Sequence, residues 1–149
     1  MRKLEVVAES LPVGAFGQNG EPLHFIMPMP NKGLGLLAAT SIPVGTLVMK
    51  CAVRDLSEIS SRIPFEMAQY LFVNPFTFAK EKAERSYLMV CGDMVFLNHD
   101  PQCDCNVLWE RDAYGIMYAA LVANQEIDEG EELTIQYTDF CDYRANGYI

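Results

Sequence analysis

The stretch FLNHDPQCDCN, from Phe96 to Asn106, packs His99, Cys103 and Cys105 among acidic and amide side chains. Three chemistries are open to such a group. With Cys141 added, the donor types suit a tetrahedral zinc site. The spacing argues against zinc, because structural sites pair ligands with roughly two to four residues between them and C-x-C here has no second pair downstream. A cysteine nucleophile needs a neighbour that lowers its pKa. His24 and His99 are the chain's 2 histidines, and His99 lies in this same loop with no evident oxyanion turn beside it. The third alternative is a binding loop that uses these groups differently, beside the bland one of buried or surface thiols.

Two further segments carry polar chemistry. In NKGLGLLA, Asn31 to Ala38, paired glycines let backbone N–H groups approach an anionic ligand closely, although a plain β-turn has the same composition. The third glycine and following helix of a dinucleotide fingerprint are missing. In EGEELTIQYTDF, Glu129 to Phe140, Glu131 and Glu132 read as a solvated turn, and Tyr137 by itself reads as core.

The elements that must position these groups are mostly strands. LEVV, LHFIM, LLAAT and TLVMKC are short apolar runs cut by GQNGEP and PMPNKG, whose Gly and Pro favour turns. Asp55 to Glu58 has capping-box spacing, Pro64 suits a first helical turn, and FEMAQYLF and FAKEKAER have helical spacing, which predicts a short helical insert over 55–85. SYLMV, MVFL, VLWER, GIMYAALVA and ELTIQY return to strands, with hairpin turns expected at Cys91-Gly92-Asp93 and at Asp112 to Gly115. The Cys91 thiol is expected to be a small buried group, and Trp109 to be core packing. An internal echo sets Ile42/Gly45 in TSIPVGTLV against Ile127/Gly130 in QEIDEGEEL, predicting two similar β-turn-β units.

With 149 residues, 50% of them hydrophobic, the chain is expected to fold as one domain, 1–149, without a disulfide scaffold. Eleven basic against 20 acidic side chains give a charge of -9, which disfavours direct nucleic-acid binding and steers cationic partners inward. The N-terminus lacks a signal-length apolar core, and no long apolar run suggests a membrane span. The 5 cysteines are therefore read as reduced thiols of an intracellular protein, cytoplasmic or nuclear. A small β protein with open strand edges also admits a homodimer.

In this order the segments resemble the SET-domain family of protein-lysine methyltransferases. KGLGLLAATSIPVGTLV is similar to that family's opening G-x-G strand, FLNHD…CDCNV to its N-H-S-x-x-P-N motif, and EIDEGEELTIQY to its G-E-E-L-T-x-x-Y motif. The resemblance implies a mainly β fold of small curved sheets, a β-clip, with a short helical insert. Its C-terminal segment would pass under the preceding loop as a pseudoknot and bring Asn98 beside Tyr137. It also implies S-adenosylmethionine as methyl donor, with Lys32, Gly33, Leu34 and Gly35 facing its methionine portion. Asn98 would bind the amino-acid end and the His99 main chain the adenine, while Tyr137 would be the active-site tyrosine.

Channel walls are expected from Ile135, Tyr87 and Phe96 and, in the tail 138–149, from Phe140 and Tyr143. Ile135 stands where the family often carries Phe or Tyr, and its lack of a hydroxyl implies addition of more than one methyl group. The substrate implied is a basic lysine-containing protein or peptide such as a histone, which would link the chain to chromatin, and no metal is required.

The motif departs from the family pattern at Asp100 and Cys105. An inserted Pro101-Gln102 also sets Asn106 eight residues after Asn98 instead of six. These departures leave a second reading, a catalytically silent SET-like module that binds a protein partner. With Cys141 standing where some members carry three zinc-binding cysteines, the expectation is a minimal SET domain without zinc modules.

Overall fold

The computed structural model describes residues 22–68, 70–74, 77 and 86–137. The expected LEVV strand, the FAKEKAER helix, Phe140, Tyr143 and Cys141 lie outside the described residues. Among the described residues, nine strands form two sheets. The smaller has the order β1 (His24–Met29), β2 (Gly33–Ala38), β9 (Glu132–Ile135), β6 (Asn98–His99). The larger runs β4 (Phe72–Val73), β5 (Tyr87–Cys91), β3 (Leu47–Asp55), β8 (Met117–Ala123), β7 (Cys105–Arg111). The mainly β fold class expected from sequence is the one observed.

Hydrophobic patterning explains which strands are central. β8, MYAALVA, is buried along nearly its whole length, as a strand covered on both faces requires, and it pairs with β3 on one side and β7 on the other. Leu36, Val48, Met49, Leu121, Ile127 and Leu133 are fully or almost fully buried in one core that both sheets share. Burying side chains of this size contributes about 1.5–3 kcal/mol each.

The internal echo is a real structural repeat. Ile42 and Ile127 form an antiparallel bridge to each other, with N–H···O distances of 2.8 Å from Ile42 to Ile127 and 2.9 Å in return. Three residues after each Ile, Gly45 (φ 84°) and Gly130 (φ 85°) occupy the left-handed region closed to branched residues. Their N–H groups donate to Ala123 and Ala38 respectively, each at 2.8 Å. Each unit therefore holds the end of the other's preceding strand, and the two-way clasp joins β2–β3 to β8–β9.

Among the described residues of the expected helical insert are a 3-10 turn at Ser60–Arg62 and a helix, α1 (Phe65–Ala68), started by Pro64, whose carbonyl accepts from Met67 at 2.9 Å and Ala68 at 3.2 Å. FEMAQYLF does not continue as a helix, because Phe72 is already paired with Leu88 of β5. Asp55 makes no capping box. Its carboxylate accepts from the Ser57 N–H at 2.8 Å and from the Ser57 hydroxyl, closing a local turn.

MVFL is not a strand, and Cys91-Gly92-Asp93 is therefore not a hairpin. Asp93–Phe96 is a 3-10 turn that buries Met94, and the His24 imidazole ties it to β1 through Asp93 at 2.8 Å. Asp112 to Gly115 is the expected hairpin, its Asp112 carboxylate accepting from the Tyr114 and Ile116 N–H groups at 2.8 and 2.9 Å.

Candidate active site

Strand β9 is the spine of the site. On one side it pairs antiparallel with β2, Leu36 opposite Leu133. On the other it pairs parallel with β6, Asn98 opposite Thr134 and His99 opposite Ile135. The long crossover that brings these segments side by side is the juxtaposition the pseudoknot expectation requires. Asp104, buried in the C-D-C sequence, fastens it by accepting from the Thr134 N–H at 2.8 Å and its hydroxyl at 3.4 Å. The inserted Pro101-Gln102 is absorbed in a turn closed by Gln102 N–H donating to the Asp100 carboxylate at 2.8 Å.

At the start of β9, Glu132 gathers the glycine strand and the asparagine loop. Its Oε1 lies 3.0 Å from Lys32 Nζ, and its Oε2 accepts from Asn98 Nδ2 at 2.7 Å. Asn98 Nδ2 also donates to the Leu34 carbonyl at 3.2 Å. Gly35 makes this convergence feasible, because a Cβ there would lie 2.9 Å from both Asn98 Nδ2 and Glu132 Oε2 and 2.5 Å from Met29 Cγ. Glu132 is thus a structural anchor and not the solvated turn residue expected.

Beyond the end of β9, Tyr137 is fixed at both ends. Its N–H donates to His99 Nδ1 at 2.9 Å, and its hydroxyl donates to the Leu97 carbonyl at 2.9 Å. The two rings also pack, with centroids 5.2 Å apart. Burial pushes the Tyr137 hydroxyl pKa above its ordinary value, and the nearby Glu132 charge pushes the same way. The phenol therefore remains a neutral hydroxyl.

Two hollows meet at Tyr137. One, of about 760 Å³, is lined by Lys32, Gly33, Leu34 and Asn98 together with apolar groups including Met89 and Phe96. The other, of about 380 Å³, is lined by Ile135, Val107, Trp109, Cys103 and Cys105 among others. Tyr70, Leu71, Val95, Leu97 and Tyr137 line both.

Lys32, Gly33, Leu34, Asn98 and Phe96 line the larger hollow, Ile135 lines the smaller, and Tyr137 lines both. Gly35 stands behind the larger hollow's lining, and His99 holds Tyr137. Tyr87, on β5, pairs with Val73 of β4 and lines neither hollow. Trp109 is more than core, since it lines the smaller hollow while stacking edge-on against Phe72 at 5.8 Å. Cys91 is exposed, not buried, and lines the larger hollow.

Among the described residues Cys51 and Cys105 are the buried thiols, and burial raises the pKa of each, the Asp104 charge adding to the effect at Cys105. Such thiols are inert toward electrophiles at neutral pH. Among the described residues no cluster of His, Cys, Asp and Glu is arranged to hold a metal ion.

Tyr70, Leu71, Val95 and Leu97 escaped the sequence reading. They belong to apolar runs whose period fits core as well as cavity wall, so no local signal distinguishes them.

Residues 33–138 match the SET domain, and the chain belongs to the SET-domain family, a methyltransferase family. Among solved structures it is similar to a Plasmodium falciparum protein provisionally described as a histone methyltransferase, at 18% identity and a TM-score of 0.60. That similarity covers 78% of this chain and 94% of the other. No curated protein sequence matches.

Proposed function

We propose that this protein transfers methyl groups from S-adenosylmethionine to the side-chain amine of lysine in a basic protein segment, such as a histone tail. The observation that carries the reading is the tethered, neutral Tyr137 hydroxyl in the lining shared by two hollows, the larger of which has a polar end. The larger hollow fits the donor in size and character. Its volume falls within the roughly 300–1,000 Å³ of small-molecule sites, with Lys32, Asn98 and the Gly33 backbone at one end and apolar walls elsewhere.

When bound, S-adenosylmethionine supplies a methyl group on a sulfonium, which a neutral amine takes as the carbon–sulfur bond breaks and the thioether leaves. The protein's task is alignment, which converts an encounter of two reactants into a reaction within one complex. The Tyr137 hydroxyl donates its hydrogen bond to the Leu97 carbonyl, so toward an incoming amine its oxygen acts as an acceptor. A phenol with a raised pKa orients the amine; it is not a strong base.

Lysine has a reference pKa of about 10.4 and must shed a proton before it attacks. Val95, Leu97, Val107 and Trp109 disfavour the ammonium form by excluding water around it. The net charge of -9 favours approach of a cationic segment from solution. Ile135, almost fully buried in the smaller hollow, offers no hydroxyl to hold a water against the amine, which leaves room for a second methylation.

The test is incubation with labelled donor and a panel of histones and cell lysate, read by mass spectrometry. Transfer to lysine, reaching dimethyl-lysine at exhaustive turnover, is expected; a product that stops at monomethyl-lysine removes the role given to Ile135. Tyr137→Phe is expected to keep donor affinity and to lose turnover by about 100-fold or more, the scale of losing one group that acts in the transition state. Calorimetry in which the wild-type protein binds no S-adenosylmethionine favours the silent-module reading instead.

A further inference from the structure

We propose that Glu132 is a positioning residue of the donor site: by engaging Lys32 and Asn98 together, it fixes them to receive the amino-acid end of the methyl donor. The proposal rests on the donor reading above and goes further by naming a residue that does not line the hollow. Lys32 and Asn98 both line it, and Glu132 stands behind them with its side chain 14% exposed.

The chemistry depends on which edge of Asn98 is spent. Asn98 gives one amide proton to Leu34 O at 3.2 Å and one to Glu132 Oε2 at 2.7 Å. A carboxamide has two donor protons and one carbonyl oxygen. With both protons committed inside the protein, the group left for a ligand is the oxygen, an acceptor suited to the donor's ammonium.

A carboxylate at 132 enforces this orientation, because the flipped amide would set its carbonyl oxygen against Glu132 Oε2. The second oxygen, Oε1, holds Lys32 Nζ at the rim at 3.0 Å, where its positive charge faces the end of the hollow that would take the donor's carboxylate. Gly35, directly against both polar groups, leaves the space that the arrangement needs. Glu132 is therefore set to act on binding of the amino-acid end and not on the reacting atoms at Tyr137.

The experiment is calorimetry of the full chain and of Glu132→Gln and Glu132→Ala with two probes, S-adenosylmethionine and methylthioadenosine, which lacks the amino-acid end. Glu132→Ala is expected to weaken S-adenosylmethionine by about tenfold or more, the scale of a lost charge-assisted hydrogen bond. Methylthioadenosine should change less than about twofold by the same reasoning.

Glu132→Gln keeps the side-chain volume and one acceptor oxygen. It should fall between wild type and Glu132→Ala and serves as the folded comparison if the alanine variant is unstable. In turnover assays the loss should appear in the donor KM, with kcat at saturating donor retained. Equal losses for both probes would mean that Glu132 only maintains the fold, and unchanged affinity in both variants would mean that it does nothing; either result overturns the proposal. Failure of the wild-type protein to bind S-adenosylmethionine while binding methylthioadenosine overturns it too, and no binding of either probe overturns the donor reading itself.

Discussion

At the scale of single residues, the site depends on how closely three segments approach, and the two glycines of G-x-G separate two physical roles. Gly33 has φ 76° with nothing within 4 Å of an added Cβ, so Gly33→Ala meets only backbone strain, about 1–2 kcal/mol. Gly35→Ala would put a methyl into Met29, Asn98 and Glu132 at once. It should cost about 1–3 kcal/mol in stability, as overpacking does, and should also displace Asn98 from its partners. Calorimetry tests the second effect: donor affinity should drop sharply in Gly35→Ala, and an affinity equal to that of wild type would show that the contact at Gly35 has no bearing on the site. Sequence reading singled out both glycines for backbone approach to a ligand, yet part of the crowding at Gly35 comes from Glu132, far away in sequence. No local pattern reveals that partner, which is also why Glu132 read as a solvated turn.

At the scale of elements, local patterning identified strands well wherever apolar residues ran between Gly and Pro turns, and the paired Ile/Gly units proved to clasp each other. It failed at MVFL, where four apolar residues fit either a strand or a 3-10 turn. Burial of Met94 and the tie from Asp93 to His24 decided between them. It failed again in FEMAQYLF, where pairing of Phe72 with Leu88 overrode helical spacing. The C-D-C segment read first as chemistry of thiols, but its central carboxylate holds the crossover together. Removing that acceptor in Asp104→Ala leaves the buried Thr134 N–H without its partner, at a cost of about 1–3 kcal/mol. For a chain of this length that corresponds to a melting point lower by roughly 2–4 °C per kcal/mol. Hydrogen exchange at Thr134 should accelerate by about tenfold or more if opening becomes easier by that energy. Unchanged protection at Thr134 would mean that the β6–β9 pairing holds without the Asp104 clamp.

At the scale of the whole molecule, the buried acids of the core set how stability responds to pH. Cys51 and Cys105, with ordinary thiol values of 9.0, and Tyr137, with an ordinary value of 10.0, are all raised, burial being the first cause in each. The unfolded chain releases these protons at the ordinary values while the native state still holds them. Above about pH 9 the unfolded state therefore binds fewer protons than the native state, and linkage makes unfolding easier as pH rises. Below that value both states are protonated at these sites and they contribute no pH dependence. Denaturant midpoints should accordingly be flat with respect to these groups from pH 7 to 8.5 and decline from pH 9 upward. Other surface groups also titrate in that range, so the decisive comparison is Cys105→Ala, which lowers stability at neutral pH by opening a small cavity but removes one buried proton. Its alkaline decline should be shallower than that of the wild-type protein, and parallel curves would refute a contribution from Cys105. If the substrate is the lysine amine proposed above, the rate of methyl transfer should move the opposite way over the same range, rising as that amine loses its proton while the Tyr137 phenol keeps its own. A single variant series across pH thus separates a fold that weakens from a site that gains reactive substrate, because saturating-donor turnover climbs between pH 8 and 9.5 only while the β6–β9 crossover stays closed.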